Sequence, residues 1–243
     1  LSNVLLASDN GRLKLSATNL ELGINCWIGA QVEQDGAITV PARILTDLVN
    51  SLPPDRIDLQ LIVRTNTLNL KCGRLEANIK GLDAQEFPLI IVPEDEKPLL
   101  LKAGVLAQMV DQIAFAAAQD DNRPVLTGVL ADLSADTLTF AAADGYRLSV
   151  RKEPIDGSER QSSVVIPAKA LQELRRVSVD ADASVSMIIS RNRNQVFFHL
   201  DEVDLVSQLV EGSFPDYKAI VPTSYNTKTT LLTSDFLSAI RMA

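Results

Sequence analysis

Residues 126–144, LTGVLADLSADTLTFAAAD, fall on residues 1–19, LSNVLLASDNGRLKLSATN, without a gap. Leu1 pairs with Leu126, Val4 with Val129, Leu5 with Leu130, Leu13 with Leu138 and Ala17 with Ala142, a register of 125 residues. Further on, Ile38–Arg43 (ITVPAR) matches Val164–Lys169 (VVIPAK), and Glu86-Phe87-Pro88 matches Ser213-Phe214-Pro215. The register drifts by two residues between the blocks, as loop insertions produce. Such a period is longer than solenoid or propeller repeats and has the size of a domain. The chain therefore holds at least two similar domains. A third copy begins near the end, where Leu231–Ile240 resembles Leu100–Met109, while the first copy has no counterpart of Leu100–Arg123. The expectation is a chain cut at both ends, without the opening helix of copy one and with only the start of copy three.

The second copy is complete and predicts a mixed α+β domain. Leu99–Leu101 reads as a short strand. Val105, Leu106, Met109, Val110, Ile113, Ala114 and Ala117 recur at helical spacing, predicting a helix over Gly104–Asp120 that stops before Pro124. Val125–Leu130, Thr137–Ala143 and Tyr146–Val150 read as strands, with Asp144-Gly145 as a hairpin turn. Val164–Ile166 leads through Pro167 into a helix over Ala168–Val177. Strands follow at Ser184–Ile189, Gln195–His199 and Asp204–Leu209. A strand, a helix, three strands, a helix and three more strands imply a half-domain duplication, with helices on one face of antiparallel sheets.

Composition bounds the reading. The 243 residues are 46% hydrophobic and 22% charged, a globular and not a disordered balance. No apolar run is long enough to span a bilayer. The opening residues Leu1-Ser2-Asn3-Val4 do not read as a signal peptide, and Cys26 and Cys72 are the only cysteines, so the expectation is a reduced, cytoplasmic protein. The formal net charge of −8 speaks to solubility and leaves one basic face possible.

A search for chemistry returns little. His199 is the single histidine, on a strand between Phe198 and Leu200, and the sequence offers it no acid–base partner. One histidine and two distant cysteines do not make a metal site. There is no glycine loop of the phosphate-cradling type; Gly11-Arg12 and Gly73-Arg74 read as turns. Carboxylates such as Glu94, Asp95, Glu96, Asp120 and Asp121 suit a solvated acidic surface, and Asp180-Ala181-Asp182 a turn. Domain-scale repetition without an enzyme signature favours a scaffold or binder that needs no cofactor.

Several blocks closely resemble the bacterial DNA sliding clamp family, the β subunit of DNA polymerase III. They are Ala142–Leu148 (AADGYRL), Val165–Leu171 (VIPAKAL), Glu211–Tyr217 (EGSFPDY), Arg123–Gly128 (RPVLTG) and, in the first copy, Ala17–Glu21 (ATNLE), and in order they cover the chain. The resemblance implies an α+β clamp fold of three similar domains, here 1–96, 97–224 and 225–243. Two protomers would close head to tail into a ring with helices lining the hole and sheets outside. The implied role is non-catalytic: a processivity factor that encircles double-stranded DNA and tethers the polymerase III catalytic subunit, the clamp loader and other clamp-motif proteins. Enclosure needs little binding energy, whereas tight phosphate contacts would create friction and steep salt dependence. The DNA-facing residues implied are Arg43, Lys102, Arg123, Lys169, Arg175 and Arg176.

The resemblance also implies a groove for partner peptides between domains two and three, formed by Leu126, Gly145, Tyr146, Arg147, Leu148, Pro215 and Ile220. Two positions depart from the family pattern. Ala143 stands where threonine is common and Ala219 where arginine can occur, which makes the pocket less polar. Taken without the resemblance, Leu126, Leu148 and Ile220 fit a core equally well. The rival readings are an enzyme on a duplicated αβ domain, which would need a convergent acid–base pair, and a diverged clamp-like interaction protein without a DNA role.

Overall fold

The computed structural model describes residues 2–88, 97–120, 122–156, 161–178, 180–190, 192 and 194–243. The repeat reappears as a repeated order of elements. In the first copy β1 (Asn3–Asp9), β2 (Arg12–Thr18), β3 (Leu22–Gly29) and β4 (Ala37–Pro41) lead into helix α1 (Ala42–Ser51), followed by β5 (Ile57–Ile62), β6 (Thr67–Cys72) and β7 (Leu75–Lys80). The second copy opens with β8 (Leu99–Lys102) and α2 (Ala103–Ile113), which have no counterpart among the described residues of the first. It then repeats the series as β9 (Gly128–Leu133), β10 (Thr137–Ala143), β11 (Leu148–Pro154), β12 (Ser162–Pro167), α3 (Ala168–Val177), β13 (Ser184–Ser190), β14 (Gln195–Leu200) and β15 (Val203–Gln208).

These strands form three antiparallel sheets. An eight-stranded sheet runs β4-β1-β2-β3-β15-β14-β13-β8, a four-stranded one β11-β10-β9-β12, and a three-stranded one β5-β6-β7. The large sheet spans both copies. Its seam is β3 against β15, in register from Cys26 opposite Val203 to Leu22 opposite Ser207. Two more backbone bonds extend the ladder, from Trp27 N to Glu202 O at 2.9 Å and from Gln208 N to Glu21 O at 2.7 Å. The side chains of Arg12 and Glu202 pair across the same seam.

Alternation decides which face is core. On β10, Leu138, Phe140 and Ala142 point inward and are fully buried; on β14, Val196, Phe198 and Leu200 do so. They meet Leu106, Met109, Val110 and Ile113 of α2 and Leu171 and Leu174 of α3 in one apolar cluster. Burying side chains of this size contributes about 1.5–3 kcal/mol each. The first copy has a smaller cluster around Leu6, Ile38, Val40, Leu68 and Ile79. Its helix α1 buries no residue fully, and Ile44 is 54% exposed. Its counterpart α3 packs against α2, a helix the described first copy lacks.

Three of the expected boundaries move because a hydrogen bond claims the backbone elsewhere. The helix stops at Ile113, not Asp120; a 3-10 turn, Ala114–Ala116, follows it, and Ala118 N donates to Leu126 O at 2.8 Å. Residues Pro124–Thr127 form another 3-10 turn, not the start of a strand, with Thr127 Oγ donating to Pro124 O at 2.7 Å. Strand β11 begins at Leu148, not Tyr146, because the side chain of Asp144 takes the N–H groups of Tyr146 and Arg147.

Contacts group the chain into Leu1–Ser213 and Phe214–Ala243. The second unit holds a 3-10 turn at Tyr217–Ala219 and helix α4 (Thr233–Met242). The expected boundary at 224/225 falls inside it, and residue 96 of the boundary at 96/97 lies outside the described residues.

Candidate functional site

The basic candidates divide by element. Helix α3 buries Ala168, Ala170, Leu171 and Leu174 and turns Lys169 and Arg176 to solvent. Arg176 reaches Glu173 one turn back at 3.3 Å, with its side chain 79% exposed. On α1, Arg43 holds the repeat position of Lys169; its side chain is 93% exposed and 3.8 Å from Asp47. Exposed pairs of this kind contribute about 0–1 kcal/mol, so a phosphate can displace them. Arg175 differs. It crosses to Asp111 of α2 at 3.0 Å and ties the two helices together. Lys102 is exposed at the junction of β8 and α2.

Arg123, expected with these, lies at the start of the Pro124–Thr127 turn. A Cβ on Gly145 would stand 3.2 and 3.3 Å from its guanidinium nitrogens. It therefore flanks the loop between β10 and β11, which carries Gly145, Tyr146 and Arg147 of the expected groove.

That loop is built by Asp144. One carboxylate oxygen accepts from Tyr146 N at 2.9 Å and Arg147 N at 3.0 Å; the other accepts from Arg147 Nε at 2.9 Å. The bonds from the backbone of Tyr146 and then Arg147 hold the Asp144 carboxyl below its usual range. Gly145 takes φ +95°, a left-handed conformation that glycine enters without penalty. Tyr146 is left 98% exposed. Leu148 is half-buried, and Ser149 Oγ anchors the strand by donating to Gln112 O at the end of α2, at 2.6 Å. Leu126 is only 6% exposed, so as it stands it belongs to the core more than to an open surface.

The first copy builds the same loop. Asn19 accepts from Glu21 N at 3.0 Å and Leu22 N at 2.7 Å, and Leu20, at the position of Gly145, takes φ +78°. There the loop abuts the seam, since Glu21 O accepts from Gln208 N.

Pro215 and Ile220 belong to the unit Phe214–Ala243. Pro215 O accepts from Tyr217 N at 2.7 Å, and Ile220 is 71% exposed. The sequence reading missed Phe115. It lies on the 3-10 turn after α2, 56% exposed, with the Arg147 guanidinium 5.6 Å from its ring centroid. The available signal was an aromatic residue off the apolar stripe of its predicted helix.

His199 does have a partner, contrary to expectation. Its Nδ1 lies 2.6 Å from Asp204 Oδ1, because β14 and β15 place the two residues directly opposite. Ser186 faces His199 from β13, yet no hydrogen bond joins serine to ring among the described residues. No group of three metal-ligating side chains exists among them either. No described helix is long and apolar enough to cross a membrane.

Comparison with known proteins agrees with the geometry. Residues 1–91 match the DNA polymerase III beta subunit N-terminal domain family, and residues 100–216 match the central domain family of the same subunit. The beta sliding clamp of Synechocystis sp. is 36% identical over 95% of this chain, and that of Bacillus subtilis is 30% identical over 98%. The chain spans 64% and 65% of those proteins, just under two thirds. Among solved structures, the DNA polymerase sliding clamp from Bacillus subtilis matches with a TM-score of 0.94 at 28% identity, over 100% of this chain and 66% of that one. The beta subunit from Streptococcus pyogenes matches with a TM-score of 0.92 at 28% identity and the same coverage. The chain belongs to the DNA polymerase III beta subunit family, the bacterial beta sliding clamps.

Proposed function

We propose that the protein is a non-catalytic processivity factor that encircles duplex DNA as a closed head-to-tail dimer. The observation that carries this reading is the β3–β15 seam. It joins the third strand of one copy to the last strand of the next. The counterparts of those strands are β11 and β7, and both lie at free sheet edges. Edge strands with open ladders invite pairing. The same join, repeated at β11 by a third module and at β7 by a second protomer, leaves neither of these two strands open and closes the assembly. The β7 edge is well ordered for this: Asn69 of β6 donates to Glu76 at 2.8 Å and to Asn78 at 2.9 Å.

The DNA-facing set is then Arg43, Lys102, Lys169, Arg175 and Arg176, few enough for weak phosphate contact without base reading. Arg123 moves to the groove. Because the Asn19–Leu22 loop abuts the first seam, the Asp144–Arg147 loop would abut the next one. That supports a groove built on Tyr146, Arg147 and Leu148 at the β11 edge of module two. The partners it would serve are apolar peptide segments of the polymerase III catalytic subunit, the clamp loader and other clamp-motif proteins, in the cytoplasm.

The test is topological. Full-length protein loaded onto nicked circular plasmid by its clamp loader should co-elute with the DNA and leave when the circle is cut. Equal retention on circular and linear DNA would favour ordinary binding and defeat enclosure.

A further inference from the structure

Two turns that the repeat makes equivalent carry opposite charges. Cys72 stands opposite Leu75 across the turn Gly73-Arg74, and Leu200 stands opposite Val203 across Asp201-Glu202. The first residue of each turn has a positive φ, +56° at Gly73 and +36° at Asp201, so Arg74 and Glu202 hold the same place. Glu202 uses that place to meet the first module. Its carbonyl accepts from Trp27 N at 2.9 Å, and its carboxylate pairs with Arg12.

Arg12 is held ready for this contact. It is the first residue of β2 and lies opposite Gly29 at the end of β3. Its Cζ is 5.7 Å from the centroid of the Trp27 ring, and Lys14 Nζ is 5.1 Å from the same centroid. The ring quadrupole draws such cations. Trp27 Nε1 donates to Asp9 Oδ2 at 2.7 Å, which fixes the ring. We propose that Arg12 is the specificity-determining residue of the joint between the two modules: it accepts β15 through Glu202 and refuses β7, whose turn would bring Arg74 to the same place. Like charges set opposite each other across strands destabilise the pairing, and opposite ones favour it. Duplicated strands with similar backbones are told apart by such a repulsion as well as by an attraction. The second module carries no such key: the counterpart of Arg12 is Thr137, opposite Pro154. The joint lies within one chain and does not depend on ring closure.

Native-state hydrogen exchange of the full-length protein tests the assignment, because Glu202→Arg puts the charge of Arg74 into the β15 place. At low salt this variant should speed exchange of the Trp27 amide about three- to tenfold, the span of an exposed pair lost and a like-charge pair gained. The Gln208 amide, bonded to Glu21 O at the other end of the seam, should stay within about twofold of the unmodified protein. Arg12→Glu combined with Glu202→Arg should return the Trp27 amide towards its original rate, and added salt should shrink the effect of the single variant. Glu202→Gln, which only removes the charge, should fall between the unmodified protein and Glu202→Arg, and it carries the test should the arginine variant not fold. Unchanged exchange at Trp27 in the single variants would overturn the proposal. So would a double variant as loose as Glu202→Arg alone, or an equal rise at Trp27 and Gln208.

Discussion

Asp144 shows how one side chain can set the shape of a loop. Its carboxylate organises Tyr146 and Arg147, and its folded titration lies below the ordinary value of 3.8. Its contribution is therefore complete above about that pH and disappears as the pH falls through the lower folded value. Peptide affinity should fall on acidification below about pH 4, and Asp144→Asn should flatten that response; an unchanged acid response in the variant would contradict the assignment. Tyr146 is almost wholly exposed, so Tyr146→Ala should weaken peptide binding by about 1–3 kcal/mol without shifting the melting temperature. Leu20 offers an internal control. Its φ of +78° carries a cost of about 1–3 kcal/mol that glycine avoids at the equivalent site. Leu20→Gly should raise thermal stability slightly, despite the greater freedom glycine has when unfolded. Asp144-Gly145 was readable as a turn because its cause is local. The place of Arg123 beside Gly145 was not readable, because it depends on a turn reached through Ala118 and Leu126.

At the scale of elements, period and alternation carried well. The strand over Thr137–Ala143 and the helix over Ala168–Val177 lie where the sequence predicts them. What failed was pairing across elements. His199 gained Asp204 from the register of β14 on β15, and Arg175 gained Asp111 from the packing of α3 on α2. Neither follows from spacing along one segment. The Arg175 link separates it from its neighbours. Lys169→Glu with Arg176→Glu should impair loading and processivity while leaving stability within about 0.5 kcal/mol, since both side chains are solvated. A matched loss of stability would assign these residues to the fold. The β7 edge makes a second prediction. Leu75 is 52% exposed on that strand, and Leu75→Lys should shift the full-length protein from dimer to monomer by light scattering with its circular dichroism unchanged. An intact dimer would remove β7 from the closing interface.

For the whole molecule, the register of 125 residues was the decisive observation, because a duplicated module must bury and join its copies in duplicate ways. The sequence could announce two modules. It could not say that β3 and β15 join them, since each strand looks the same whether it is paired or at an edge. The structure supplies the join, and in the proposed ring β11 and β7 repeat it. The most direct test is electron microscopy of the full-length protein in the absence of DNA. The account predicts closed rings of six similar lobes around an open centre. Straight or open-ended assemblies, or isolated protomers at concentrations where relatives would pair, would contradict it.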